Sequence, residues 1–419
     1  MVSRFEDQRI YALFLCVLAF STNALAQDAS PEEEEASSED AETKKKDWPK
    51  YEFSARVMTG FEVEHEKPKG AQGGSEKTQF GFFLRQARFK VKIYFNKNIR
   101  TNLSADLSDA LDLLDVGYDQ SVDKIPFLRN AYLNLKAHNA FQIRAGRFKL
   151  PFSRLENRST GILPFRGRGL SNELLIEDAR WGDRAIGAML WGRIKAADLT
   201  WRVSASNLNW GAMVVREKTD LLPEQAYEQN GALNAQARLA YDPADWISIG
   251  ANGGHIWTKY KGEDLPSLPD ANLNGFGGDV RLRFGDFYLA SEAIAGQRRV
   301  MEAPYESETG EQITPHRDPF ALGVTAYLNY DISLPRDLVL QPVVFCEYVD
   351  SDLDYLKTEA IRVIGGLNLL VGEHLRIMPQ VEIVRPLEVS EGTWDSLLDR
   401  PLNEWKSKET YYLLVAVQL

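Results

Sequence analysis

A strongly basic segment contains the side chains with the clearest potential for chemistry. Between residues 141 and 169 there are seven cationic side chains and a single acidic one, Glu156. Guanidinium groups bind phosphate and carboxylate through paired hydrogen bonds, and basic rings in a narrow passage concentrate anions and exclude cations. Ser159 and Thr160 could add hydroxyl donors to such a site. The basic side chains are those of Arg144, Arg147, Lys149, Arg154, Arg158, Arg166 and Arg168.

The location of this segment decides what its charges do. If it folds into a channel, its cations line the channel and bind oxyanions. If it stays outside, the same cations contact the phosphates of lipopolysaccharide or remain in water. The sequence leaves both interpretations open, because the path of a loop cannot be read from the pattern of its residues.

The elements that would position these side chains are β-strands with one apolar and one polar face. In residues 87–95 the odd positions are all apolar, while Arg88, Lys90 and Lys92 occupy even positions. Alternate side chains point to opposite faces of a strand, so the three cations share one face. A slip by one residue would turn them toward lipid, at about 2–4 kcal/mol each near the bilayer midplane. We therefore expect Arg88, Lys90 and Lys92 to face a lumen.

About sixteen such runs follow one another from residue 51 to the end of the chain. The gaps between them alternate between tight ones, such as 285–286 and 372–373, and long ones, such as 261–274 and 386–407. This rhythm is typical of a transmembrane antiparallel β-barrel with short periplasmic turns and long external loops. A barrel of this size is too wide for side chains to fill, which predicts an aqueous channel. The runs are centred near 51–63, 83–95, 99–107, 128–137, 140–146, 184–192, 198–206, 232–241, 246–256, 276–284, 287–296, 320–330, 337–349, 360–371, 374–383 and 408–419.

Composition alone would suggest a soluble acidic protein, with 26 % charged residues and a net charge of −11. Barrels hide their apolar content by alternation, so this composition does not exclude one. After removal of a signal peptide Cys346 would be the only cysteine, which excludes an intramolecular disulfide, and we assign it no catalytic role.

The first fifty residues predict export rather than a part of the barrel. Arg4 and Arg9 precede an apolar run at 10–20, and the small-x-small sequence at 24–26 is typical of a signal peptide cleaved before Gln27. The following residues are acidic and poor in apolar side chains, as expected for a disordered periplasmic lead-in. We therefore divide the chain into a signal peptide (1–26), an acidic lead-in (27–50) and an outer-membrane barrel (51–419).

Charges of both signs fall on the positions that should face the lumen. The cations would give anions successive weak sites, whereas the acids would give a mixed-charge lumen without anion preference. Both interpretations remain open. The further cations are Arg100, Arg202, Arg238, Arg281, Arg283 and Arg376. The acids are Asp106, Asp279, Glu292, Glu347 and Glu382.

The basic segment also carries a resemblance to a known family. Its central motif is Gly146-Arg147-Phe148-Lys149-Leu150-Pro151-Phe152, a strand end that leads into a loop, and Arg184-Ala185-Ile186-Gly187 follows the loop. With the strand at 83–95, these residues resemble the phosphate-selective porin O and porin P family. The resemblance implies a sixteen-stranded, usually trimeric outer-membrane channel for anions, with basic residues along the pore and loops folded inward at the constriction. Leu419 departs from the aromatic residue that usually ends outer-membrane strands.

Other classes of function lack a supporting motif. The five histidines have no serine or carboxylate arrangement beside them for catalysis, and no cluster has the spacing of metal ligands. We therefore predict no enzyme activity, no cofactor and no metal. Expected partners are outer-membrane lipid and lipopolysaccharide, small anionic solutes and further copies of the chain in a homotrimer, with no nucleic acid. The alternatives are a general or cation-preferring porin, or a barrel plugged by loops at 208–231 and 386–407 that acts as an adhesin or scaffold.

Overall fold

Long antiparallel strands form a closed barrel in this computed structural model. Within the described residues there are sixteen long strands, each hydrogen-bonded to the next in the chain, and the last strand pairs with the first. The expected fold class, a transmembrane antiparallel β-barrel of about sixteen strands, is confirmed. The structure describes residues 48–67, 77–108, 127–207, 213–214, 226–229, 233–258, 260–261, 271–298, 300–301, 305–306, 312–313, 316–354, 358–387 and 407–418.

The barrel strands have the following bounds. They are β1 (Lys50–Lys67), β2 (Lys77–Asn96), β3 (Ile99–Asp106), β4 (Leu128–His138), β5 (Phe141–Lys149), β6 (Arg184–Ile194), β7 (Leu199–Asn207), β8 (Leu233–Ala244), β9 (Ile247–Thr258), β10 (Ala271–Phe284), β11 (Phe287–Gln297), β12 (Phe320–Tyr330), β13 (Leu338–Asp350), β14 (Glu359–Val371), β15 (Leu375–Pro386) and β16 (Ser407–Gln418). The runs expected from the sequence agree with these strands except at their ends. The alternation predicts the fifth strand at 140–146 and the tenth at 276–284, and both strands are longer than predicted.

Short elements lie in the connections between the barrel strands. The connection from β5 to β6 contains the helix α1 (Arg154–Asn157), a 3₁₀ turn (Thr160–Ile162) and a π-helix (Asn172–Asp178). A second 3₁₀ turn (Lys195–Ala197) joins β6 to β7. The short strands are Met213–Val214, Ala226–Gln229, Tyr260–Lys261, Val300–Met301, Tyr305–Glu306, Gln312–Ile313, His316–Arg317 and Ile332–Leu334.

The two faces of the barrel wall are the reverse of those in a soluble protein. Apolar side chains point outward: Phe53, Phe80 and Phe89 are exposed over half or more of their surface. Polar side chains point inward, where Asn134 and Asn234 are fully buried. This polarity matches lipid outside and a polar interior.

Short turns join alternate strand pairs at one end of the barrel. Gly285 and Gly372 occupy two of these turns with φ of 56° and 55°, a left-handed conformation that glycine adopts without steric cost. Large aromatic side chains, among them Tyr241, Trp246 and Tyr330, are exposed beside the same end. They lie where an interfacial aromatic girdle is expected, and short turns mark the periplasmic side.

The connection 150–183, which we call the inner loop, folds into the barrel and packs on its inner wall. Phe152, Leu175 and Trp181 are fully buried against wall residues such as Ile256 and Val349. Farther along the loop, Leu155, Leu163 and Phe165 pack in a second apolar cluster that contains Phe345, Ile364 and Leu414 from the wall. The apolar contacts run from β9 around to β16 and reach Met58 of β1, so the inner loop covers about half of the wall and narrows the lumen.

Several expectations fall on residues outside the described part of the chain. The signal peptide and nearly all of the acidic lead-in lie there, as do most of the loops at 208–231 and 386–407. In the described residues, no helix is both long and apolar enough to cross a membrane.

The outward face gives a test of membrane register on β7. Val203 lies at the middle of this strand with 49 % of its surface exposed. We expect Val203→Arg to lower the free energy of unfolding by about 2–4 kcal/mol, because a cation near the midplane loses its hydration. Reversible urea unfolding in lipid vesicles measures the change, and Val203→Leu is the control. Equal stability of the two variants would place this face outside the hydrocarbon layer.

Candidate functional site

The inner loop is held by two wall carboxylates that accept hydrogen bonds from its backbone. Glu292 of β11 accepts from the backbone N–H groups of Arg154 at 3.0 Å and Leu155 at 2.8 Å. Glu347 of β13 accepts from the N–H groups of Leu170 at 2.7 Å and Ser171 at 2.8 Å. Both carboxylates thereby satisfy N–H groups at the start of helical turns, where an anion is favoured. Two of the acids expected to compete for the lumen are thus used to hold the loop.

Cations of the inner loop also bind to the wall. Arg154 Nη1 lies 3.3 Å from Asp279 of β10, and Arg166 forms an ion pair with Glu62 of β1. Arg158 Nη1 donates to the hydroxyls of Tyr288 and Tyr327, each at 2.6 Å. Burial by itself would lower the pKa of Arg158, but these two phenolic oxygens raise it above its ordinary value, so the charge is retained.

Three interior carboxylates are each shared by two cations. Asp106 lies 3.0 Å from Arg88 and 4.0 Å from Arg129. Glu156 lies 3.2 Å from Lys149 and 3.1 Å from Arg168. The third shared carboxylate is that of Asp279, which lies 2.7 Å from Arg238 and 3.3 Å from Arg154. Because one negative charge faces two positive charges in each case, every such group has an excess of one positive charge.

Not every group has this excess. Arg362 of β14 lies 2.9 Å from Glu382 and 4.0 Å from Glu347, so here one cation is placed between two acids. Asp183, at the end of the inner loop, pairs with Arg184 at 3.0 Å. Burial alone would raise the pKa of Asp183, but the nearby charges of Arg184, Arg129 and Lys149 lower it below its ordinary value. Asp183 is therefore ionised at neutral pH.

Guanidinium groups from β2 and β14 of the wall meet at Gly167, near the middle of the inner loop. A methyl group at this position would lie 3.6 Å from Arg85 Nη2 and 3.7 Å from Arg362 Nη2. Arg166 and Arg168 flank Gly167 in the chain, so two further cations belong to the same part of the loop. We call this cluster of Arg85, Arg166, Arg168 and Arg362 the Gly167 constriction.

The remaining expected site residues form two groups along the barrel axis, one at the inner loop and one near the periplasmic turns. Arg147, Lys149, Arg154 and Arg158 lie on the inner loop or at the strand end that leads into it. Ser159 accepts a hydrogen bond from Arg56 Nη1 at 2.8 Å, and Thr160 accepts one from Gln86 Nε2 at 3.1 Å, so both hydroxyls bind the wall. Nearer the periplasmic turns, a few residues away from them, lie Lys92, Arg100, Arg202, Arg281 and Arg283.

Local contacts show how the expected cations on the strands are placed. Arg144 lies between the rings of Tyr132 and Trp191, with its guanidinium carbon 4.3 and 5.2 Å from their centroids. Lys92 pairs with Glu52 at 3.1 Å, and Lys90 lies opposite Ser104 in the β2–β3 register. Arg202 lies directly opposite Arg238, so two cations meet across the β7–β8 register. Arg281 lies 3.8 Å from Asp242, whereas Arg283 is exposed beside the turn at Gly285.

Sequence alternation missed two cations because β-bulges change its parity. On β2, Leu84 pairs with Thr59 and Gln86 with Met58, so Arg85 is the extra residue between them. On β4, Leu128 pairs with Ala105 and Asn130 with Ser104, so Arg129 is an extra residue of the same kind. A bulge redirects the side chain it carries. Arg362 was missed as well, although its even position matches those of the neighbouring inward residues Ala360 and Ile364. Arg184 was missed because the inward residues of β6, such as Ala185 and Met189, are at odd positions.

The geometry agrees with a match to a known family. Residues 61–233 match the model of the phosphate-selective porin O and P family. The match contains the basic segment and confirms the resemblance that its residues suggested. No curated protein matches the chain.

Solved structures show the same fold at low sequence identity. An anion-selective porin from Comamonas acidovorans is 11 % identical with a TM-score of 0.53, covering 89 % of this chain and 100 % of that one. The outer membrane channel DcaP of Acinetobacter baumannii is 12 % identical with a TM-score of 0.54, covering 88 % and 97 %. The trimer form of OmpT, an outer membrane protein of Vibrio cholerae, is 12 % identical with a TM-score of 0.51, covering 89 % and 100 %. The fold is that of outer-membrane porins, and the protein is located in the bacterial outer membrane.

The shared carboxylate of Asp279 gives a test of how the inner loop is held. We expect Asp279→Asn to lower stability by about 3–5 kcal/mol, because two interior cations lose their counter-charge. The control is Asp242→Asn, since Asp242 is only 3.8 Å from Arg281 and partly exposed, where an ion pair contributes about 0–1 kcal/mol. Urea unfolding followed by tryptophan fluorescence compares the two. Equal losses would mean that Asp279 has no special role in holding the loop.

Proposed function

We propose that this protein is a passive outer-membrane diffusion channel that prefers anions, with small oxyanions such as phosphate or polyphosphate as solutes. The observation that carries the proposal is the Gly167 constriction, where Arg85 of β2 and Arg362 of β14 approach one point of the inner loop. Oxyanions accept paired hydrogen bonds from guanidinium groups, and cations are repelled from a site of like charge.

The acids of the interior support this preference rather than oppose it. Glu292 and Glu347 accept backbone hydrogen bonds from the inner loop. Asp106 and Asp279 are each shared by two cations. Four of the five acids expected to produce a mixed-charge lumen are therefore engaged by the inner loop or by two cations, which argues against a general or cation-preferring porin. The fifth, Glu382, pairs with Arg362.

Conduction would proceed through two levels of weak sites. The lower level is the group near the periplasmic turns, which includes Lys92, Arg100 and Arg202. The upper level is the Gly167 constriction. Exposed or half-exposed cations attract an anion without holding it permanently, and release requires that each site be weak. Arg166 of the constriction retains a side-chain exposure of 23 %, so it is accessible to solutes in water.

The comparisons suggest the assembly and partners that we propose for the chain. One structural neighbour is named as a trimer form, and we propose a homotrimer in the same arrangement. The exposed apolar belt would contact outer-membrane lipid, and cations at the external end would contact lipopolysaccharide phosphates. The alternative of a plugged barrel has one supporting observation, which is the close packing of the inner loop on half of the wall.

Ion selectivity of the purified protein tests the proposal directly. In a planar bilayer under a KCl gradient, we expect a reversal potential of the sign given by chloride permeation. Added phosphate should then reduce the chloride current, since it binds at the same guanidinium groups. Potassium selectivity would contradict the anion preference, and absence of conductance would favour a plugged barrel.

Arg85 gives a sharper test of the constriction. We expect Arg85→Gln to lower the chloride-to-potassium permeability ratio and to weaken phosphate block about tenfold, the effect of losing one charge-assisted hydrogen bond. Arg336→Gln removes the same charge from an exposed periplasmic turn and is the matched control. Equal effects of the two variants would show that overall charge, rather than the constriction, determines selectivity.

A further inference from the structure

A row of three glycines crosses the barrel wall beside the end of the inner loop. Gly254 of β9 lies directly opposite Gly275 of β10, and Gly275 lies directly opposite Gly296 of β11. All three are on the inward parity, next to inward-facing residues such as Ile256 and Ile294. The row is therefore a flat slot in a wall that is elsewhere covered by side chains.

The indole of Trp181 fills this slot. A methyl group at Gly275 would lie 2.7 Å from Trp181 Cδ2, and one at Gly296 would overlap Trp181 Nε1. A methyl group at Gly254 would lie 3.4 Å from Trp181 Cζ3. The wall therefore has space for the indole only because Gly275 and Gly296 carry no side chain.

Hydrogen bonds fix the indole and its backbone. Trp181 Nε1 donates to the carbonyl oxygen of Gln297 at 2.9 Å, and Gln236 Nε2 donates to the carbonyl oxygen of Trp181 at 2.7 Å. The indole also stacks on Phe152, with ring centroids 5.5 Å apart. Because Phe152 lies near the start of the inner loop and Trp181 near its end, this stack joins the two ends of the loop.

The backbone around Trp181 is held in an uncommon conformation. Arg180 and Asp183 have φ of 64° and 59°, which is left-handed for non-glycine residues. Such residues persist where the surrounding contacts determine the conformation. Trp181, buried with no exposed surface, provides those contacts.

We propose that Trp181 and the slot of Gly254, Gly275 and Gly296 form a latch that positions the inner loop and so sets the cross-section of the pore. Trp181 is a positioning residue, since it acts through the loop and not on the solute. The proposal rests on the proposed channel function for its effect on conduction. The position of the loop can also be measured without conduction.

Two variants release the latch in different ways. Gly275→Ala places a methyl group where the indole lies, and Trp181→Ala removes the indole without changing the wall. The matched control is Gly278→Ala on the same strand, because a methyl group there would approach nothing closer than the carbonyl oxygen of Gly250 at 3.7 Å. If Gly275→Ala fails to fold, Trp181→Ala still tests the latch.

The readouts are single-channel conductance and trypsin cleavage of the folded barrel within the inner loop. We expect Gly275→Ala and Trp181→Ala each to raise the mean single-channel conductance and to broaden its distribution. Trypsin should cleave both variants after Arg180 severalfold faster than the wild type, and the control should behave like the wild type. The double variant Gly275→Ala/Trp181→Ala should be no more affected than Trp181→Ala alone, because both changes break one contact. Wild-type conductance and cleavage in both release variants would overturn the latch.

The outcomes separate the latch from the channel proposal. Potassium selectivity in the wild type would refute the anion preference but leave the conductance comparison valid. If the wild type does not conduct, the channel proposal fails, and trypsin cleavage alone decides whether Trp181 holds the loop.

Discussion

A segment of chain that lies inside a barrel must find partners for its backbone N–H groups, and the structure depends on how the inner loop does so. Glu292 and Glu347 reach from the wall and each accept two backbone hydrogen bonds from this loop. An unpaired backbone group in the interior costs about as much as a lost hydrogen bond, so these carboxylates are needed wherever the loop turns away from its own helical pattern. The loop, and everything that it carries into the lumen, keeps its position because the wall presents acceptors at these points.

This use of the acids determines the electrostatics of the interior. The same side chains that could have made a mixed-charge lumen are used for capping or are shared by two cations, as Asp106 and Asp279 are. The groups around Asp106, Glu156 and Asp279 each contain one acid and two cations, even though the net charge of the chain is −11. Overall charge therefore says little about the preference of the pore, since selectivity depends on the charges at the narrowest level.

Apolar contacts complete what the carboxylates begin. The inner loop carries buried apolar side chains, from Phe152 to Trp181. They pack against inward apolar residues of the wall, and glycines of the wall leave space for the indole of Trp181. This packing is apolar, although polar side chains face the interior elsewhere on the wall. It explains why the cations of the loop lie at defined positions: ion pairs at a partly exposed surface contribute little, whereas packed side chains fix the backbone that carries them.

The sequence by itself determined the barrel, its strand number and the outward face, because alternation is a local property that lipid on one side enforces at every residue. It also identified the basic segment and the resemblance to the phosphate-selective porin O and P family. It did not determine the path of the inner loop, because the contacts of Glu292, Glu347 and the glycine row join residues more than a hundred positions apart or on separate strands. Nor could it assign Arg85 and Arg129, since a β-bulge reverses parity without any signal in the run that contains it. Only the tertiary structure decided which cations meet at Gly167, since that depends on strand pairing and loop packing together.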